Sequence, residues 1–279
     1  MVVASRPLRA LSVLLTAGFV HAQQQPQAAP VPKDPAPESA YIEDGGVSLQ
    51  LYYWGAMQRP KVLKGAKSAV TDPANLDFPG KTHGAYGVMF SVPAGKQNSL
   101  RISYFRTDGT GNTTTPTALG LFGIGYNAGD VIYTKYKMQS VKASWDFLSY
   151  TFHNNVRFKT LWGGQVAWFD TNTEAPARTD IDTFATGKKL LVYPSLGVGF
   201  EQAVSSHFRW ETYASGFAIP HRGTMGDVEG SVALRLGKFE MLGGYKHFSV
   251  KTSPKDEFYF KQTLSGPYVG LRWYFEQMK

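Results

Sequence analysis

Gly266-Pro267-Tyr268-Val269-Gly270-Leu271-Arg272-Trp273-Tyr274-Phe275 alternates in character to the end of its length. Val269, Leu271, Trp273 and Phe275 are apolar or aromatic, while Arg272 and Tyr274 fall between them. Successive side chains of a strand point to opposite faces, so this segment reads as a strand with one apolar face and one wet face.

The same period of two runs backward through the chain. Val47, Leu49, Leu51 and Tyr53 alternate with Ser48 and Gln50, and Leu100 and Ile102 with Arg101 and Ser103. Val156, Phe158, Trp162, Val166 and Trp168 oppose Arg157, Lys159 and Gln165. Phe208 and Trp210 face away from Arg209 and Glu211, and Val228, Val232, Leu234 and Leu236 from Glu229, Ser231 and Arg235.

Connections between these segments alternate in length. Short ones fall at Pro93 to Asn98, His153 to Asn155, Ser205 to His207 and Gly237-Lys238; longer ones at Gly55 to Gly84, Asp108 to Asp130, Thr171 to Lys188, Pro220 to Gly226 and Thr252 to Asp256. Outer-membrane barrels have short periplasmic turns and longer outer loops. The expected fold is therefore all-β, an antiparallel transmembrane β-barrel of ten strands with both ends in the periplasm; eight strands is the alternative. The long run from Val131 to Phe152, with Val141, Ala143, Trp145 and Phe147 against Lys142, Ser144 and Asp146, either rises above the membrane or contains a further bend. A soluble β-sandwich or lipocalin-like barrel would turn the apolar faces inward instead.

Composition agrees with a barrel. Aromatics make up 14% of the 279 residues and only 18% are charged, as aromatic girdles and a lipid-facing wall require. At the N-terminus Arg6 and Arg9 precede an apolar stretch from Ala10 to Val20, and Val20-His21-Ala22 offers a cleavage site. Residues 1–22 read as a signal peptide, and removing its two arginines takes the formal net charge from +8 to +6. Residues 23–45 form a Gln- and Pro-rich lead-in with no periodicity, expected to be disordered in the periplasm. Residues 46–275 are the barrel and 276–279 a short tail. Cysteine is absent, which removes disulfides and Cys-ligated metals. The basic surplus suits contact with outer-membrane lipids and phosphate-rich lipopolysaccharide.

The terminal strand resembles that of the small outer-membrane barrel superfamily containing OmpA-like, OmpX-like and OmpW-like proteins. In that family the closing strand ends in an aromatic residue, here Phe275, which the barrel assembly machinery recognises. Glu276-Gln277-Met278-Lys279 follow it where the family usually stops. Gly244-Tyr245-Lys246-His247-Phe248 looks like the start of the final hairpin. The resemblance implies localisation to the bacterial outer membrane after export.

Projected inward, the alternation collects Arg101, Lys142, Asp146, Arg157, Lys159, Glu201, Arg209, Glu211, Glu229, Arg235, Glu240, Lys246 and Arg272. Ten strands enclose a narrow space that side chains largely fill, and buried charges must be paired. The expectation is a salt-bridged plug, with a small anion-favouring porin as the alternative. Phe158, Trp162, Trp168, Phe208, Trp210, Trp273 and Phe275 read as lipid-interface belts. Thr117 to Gly129, TALGLFGIGYNAG, is too apolar to lie bare in water and is expected to pack against the barrel rim.

Two catalytic constellations have partial counterparts in the chain. Ten-stranded outer-membrane proteases use paired aspartates with an Asp-x-His element; Asp180 and Asp182 offer an acidic pair, but Asp-x-His occurs nowhere. Lipid A deacylase barrels carry His-x-Ser and a following Glu, which His247, Ser249 and Glu257 resemble, although Val250 stands where that family has Asn. The bland reading makes His247 an interface residue and Ser249 a strand-end hydroxyl. His83, His153, His207 and His221 form no ligand set, so no metal or cofactor is expected, and no nucleic-acid motif occurs. The function read from sequence is a non-enzymatic, monomeric outer-membrane barrel serving surface interaction or envelope structure. A lipid A deacylase-like hydrolase is the enzymatic alternative.

Overall fold

A computed structural model of the chain describes residues 46–58, 61–65, 80–95, 97–179, 184–220, 223–253 and 258–275. The expected signal peptide, lead-in and C-terminal tail, the Asp180/Asp182 pair and Glu257 lie outside the described residues. Ten long strands close into an antiparallel barrel: β1 (Ser48–Trp54), β2 (Ala85–Pro93), β3 (Asn98–Thr114), β4 (Val131–Thr151), β5 (Arg157–Glu174), β6 (Phe184–Ala203), β7 (Phe208–Ile219), β8 (Gly223–Leu236), β9 (Phe239–Thr252) and β10 (Phe258–Tyr274). Each pairs with its chain neighbour. β10 returns to β1 in the register Ser48↔Tyr274 to Trp54↔Tyr268, which closes the wall and leaves no open edge.

The faces point as a membrane requires. Leu51, Val192, Val232, Met241, Val269 and Leu271 are exposed on the outer wall, while Arg272, Glu240, Lys246 and Asp146 are buried inside. This is the reverse of a soluble barrel or sandwich. Val269, at 62% exposure, and Arg272, at 6%, lie on one strand and settle the direction.

Several strands outrun the sequence expectation. The segments 108–114 and 171–174, expected as loop, continue the ladders of β3 and β5, and β6 begins at Phe184. Pro220 to Gly226 is mostly strand too, since Gly223 pairs with Ile219. The reason is that Asp108, Thr110 and Asn112, or Asp170, Asn172 and Glu174, occupy an outer face above the lipid, where polar residues satisfy a strand as well as a loop. The long run is one strand, β4, from Val131 to Thr151, with a register shift opposite Phe158 and Lys159 rather than a bend. Short strands Met57–Gln58 and Lys61–Gly65 add to the outer end of β10, and Gly80–Thr82 to that of β3.

A small hairpin, Leu119–Leu121 with Ile124–Tyr126, lies within the outer opening. Leu121 and Tyr126 are buried there, so the apolar segment packs on the barrel as expected. Its turn needs positive φ at Phe122 (50°) and Gly123 (90°). A phenylalanine held in that region is uncommon, and its ring stacks on Phe260 with centroids 6.0 Å apart.

Candidate functional site

The interior divides into two layers of different chemistry. Toward the periplasm it is a lattice of ion pairs carried on β3 to β10. Arg272 of β10 reaches Glu211 at 2.6 Å and Glu240 at 3.1 Å; Arg209 of β7 reaches the same two carboxylates at 3.4 and 3.1 Å. Gln50 accepts from Arg272, and Tyr274 and Ser231 donate to Glu240 and Glu211. Arg157 and Lys159 both hold Glu201, at 3.0 and 2.8 Å, and Tyr213 donates to its second oxygen. Arg101 pairs with Asp146 and lies over the Tyr213 ring at 3.8 Å.

A second tier stands above these. Lys246 bridges Asp227 at 2.7 Å and Glu229 at 2.8 Å, and Lys142 bonds Asp227 and Ser215. Asp227 is the inward carboxylate that the sequence reading passed over. It falls between Gly226 and Val228, where the apolar face of the alternation begins only at Val228. Arg235, the remaining predicted lumen cation, sits near the periplasmic mouth over the Tyr274 ring at 4.7 Å. With Asp227 added, the inward set has eight cations and six carboxylates, which weakens the surplus that an anion passage would use.

Small residues make room for the rings of this layer. Tyr52 lies across Gly87, its cross-strand partner, and Tyr213 across Gly199. A Cβ at either glycine would run into the ring, so the tyrosines fill the bore because the facing strand offers no side chain there.

Toward the outside the bore is apolar. Trp54, Phe105 and Phe248 pack edge to face at 5.5 and 5.3 Å, joined by Met138, Leu264 and Val250. Phe169 stacks on Phe260 at 5.5 Å, and the hairpin closes over them through Leu121 and Tyr126. The Trp54 indole donates to the Gly266 carbonyl at 3.1 Å, satisfying its one polar atom. Tyr126 pairs with Thr173 at 3.1 Å, and burial pushes its phenol above the ordinary range. Arg178 ties the hairpin down by donating to the Gly125 carbonyl at 2.8 Å.

Small cavities remain among the described residues. A cavity of about 90 Å³ opens among Ser48, Gln97, Asn98 and the lower ion pairs, on the periplasmic side. A second of about 20 Å³ lies deeper, beside Lys142, Asp227 and Lys246. The second is of the size of one water molecule.

The catalytic candidates sit outside the bore. His247 and Ser249 share the outer face of β9, but the partner of His247 is Ser265 on β10, whose Oγ is 2.6 Å from Nδ1. The two are cross-strand neighbours, a pairing that spacing along one strand cannot reveal. Among the described residues no group of three or more His, Asp or Glu side chains is placed to hold a metal.

No protein-family model and no curated protein matches the chain. Among solved structures, the outer-membrane protease OmpT of Escherichia coli aligns over 84% of this chain and 98% of its own, with 9% identity and a TM-score of 0.55. The translocator domain of the autotransporter NalP from Neisseria meningitidis aligns over 83% and 89%, at 11% identity and a TM-score of 0.43. Ail, the attachment invasion locus protein of Yersinia pestis, covers 82% and 99% at 10% identity and a TM-score of 0.33. The OmpT alignment shows a shared fold, the closed antiparallel barrel of outer-membrane proteins. At 9% identity it carries nothing about activity.

Proposed function

We propose that the chain is a bacterial outer-membrane protein that conducts nothing and acts at the cell surface through its outer end. The observation that carries this reading is the double filling of the bore. Ion pairs occupy the periplasmic half, and an aromatic plug under a docked hairpin occupies the outer half. A hydrated ion would have to displace both layers. The apolar outer wall supports residence in a bilayer, and the ladders of β3 to β6 rising above it offer a surface to partners.

The test is single-channel recording of the refolded mature protein in a planar bilayer, with insertion confirmed by protease protection. A silent, inserted protein is the expected result. Steady current with anion preference would replace this reading with the small-porin alternative.

A further inference from the structure

Above the apolar band the outer wall carries two belts of charge that are built differently. Across β3 to β6 the cross-strand row reads Asp108, Lys137, Asp170, Lys188, so each lysine faces an aspartate. On the opposite wall Lys251 of β9 stands directly against Lys261 of β10. Like charges directly opposed in a ladder destabilise it. Lys251 and Lys261 are both exposed, their β8 neighbour is the neutral Thr224, and no described residue of β8 to β10 puts a carboxylate on that face.

Height along the strands identifies what bathes the row. Lys251 lies twelve residues beyond Phe239 (251 − 239), and Lys261 twelve before Trp273 (273 − 261), both belonging to the stacked periplasmic aromatic belt. At a rise of about 3.3 Å per residue and a tilt of about 40°, that is about 30 Å, against an apolar band about 25 Å tall. The lysines therefore stand among lipid headgroups. Beneath them Ser249 stands opposite Thr263 and His247 is bonded to Ser265, and Tyr245 is the next exposed aromatic residue down β9.

We propose that Lys251 and Lys261 bind the phosphate monoester of a lipid headgroup in the outer leaflet. The inference rests on the membrane reading above. A monoester carries about −1.5 to −2 charges at neutral pH, which matches a row of lysines better than the single charge of a diester. The headgroup supplies the countercharge that the facing aspartates supply on the other wall.

The test uses the full mature chain refolded into phosphatidylcholine nanodiscs containing phosphatidic acid, phosphatidylglycerol or neither, followed by counting of retained lipid by native mass spectrometry. One phosphatidic acid is expected to stay bound, with phosphatidylglycerol held more weakly. The K251S/K261S variant should insert normally and lose about thirtyfold in retention. Unchanged retention in that variant overturns the proposal, as does equal retention of the two anionic lipids. A D256N/E257Q variant addresses the chain's own nearby acids. If it and K251S/K261S lower the unfolding temperature alike while lipid retention stays intact, the lysines serve the adjoining loop and the proposal fails. Failure of the wild type to insert would instead sink the membrane reading itself.

Discussion

Along β9 the two faces exchange character within a dozen residues. The inward face carries Glu240 and Lys246 in its periplasmic and middle part, then Phe248 and Val250. The outward face runs the other way, from Phe239, Met241 and Tyr245 to His247, Ser249 and Lys251. The lower barrel is therefore an inside-out protein and the upper barrel an ordinary one. What differs is the medium against the outer wall: lipid below, headgroups and water above. A strand buries whichever face its surroundings reject, so one strand crossing a boundary must change its pattern there.

The two halves hold themselves together by forces with different failure modes, and Glu240 tests the lower one most severely. It is fully buried between Arg209 and Arg272 and accepts from Tyr274. Glu240→Leu leaves two buried guanidiniums short of a carboxylate. Breaking such a pair costs about 3–5 kcal/mol, and because two cations share this one the loss is expected near the top of that range. Urea titration of the lipid-reconstituted protein reads it. A loss below about 1 kcal/mol would mean that water carries these charges and that the lower half is not a dry lattice.

Phe248 asks the same of the upper half. Its ring is fully buried against Phe105, so Phe248→Ala removes contacts on all sides and leaves a cavity. The expected cost is about 3 kcal/mol, at the lower end for such truncations because Trp54 and Leu264 are placed to relax into the space. Conductance should remain absent, since the ion-pair lattice still blocks the bore below. Channel openings in this variant would show that the aromatic layer alone seals the barrel.

The exchange of faces also explains which parts of the molecule were legible in sequence. β10 is legible from Val269 to Tyr274 because all of that stretch lies along the apolar wall. The same alternation applies to the charges that the structure buries, Asp227 included. Trp54, Phe105, Phe248 and Phe260 were not picked out as a plug, because a rule that assigns polar residues to the bore sends apolar ones to the lipid. Their position is fixed by neighbours on other strands, as Phe248 is by Phe105. The His247–Ser265 pair escaped for the same reason: register between strands, not spacing along one, brings it together.

A weaker effect is expected at the outermost point of the division, where the hairpin meets the barrel. Tyr126 is buried and makes one polar contact with its barrel neighbour, the hydroxyl of Thr173 at 3.1 Å. Tyr126→Phe removes that bond and keeps the ring. Thr173 retains the Ala185 carbonyl as an acceptor at 3.4 Å, so its hydroxyl is not stranded. The cost should then be the net worth of one neutral hydrogen bond, about 1 kcal/mol, and the bilayer should stay silent. If the hairpin is held by packing, as Leu121 and the Phe122–Phe260 stack indicate, hydrogen exchange at Leu119 to Tyr126 will stay slow in this variant. Fast exchange there would make the phenol its anchor, and the upper half would then depend on a polar contact much as the lower half does.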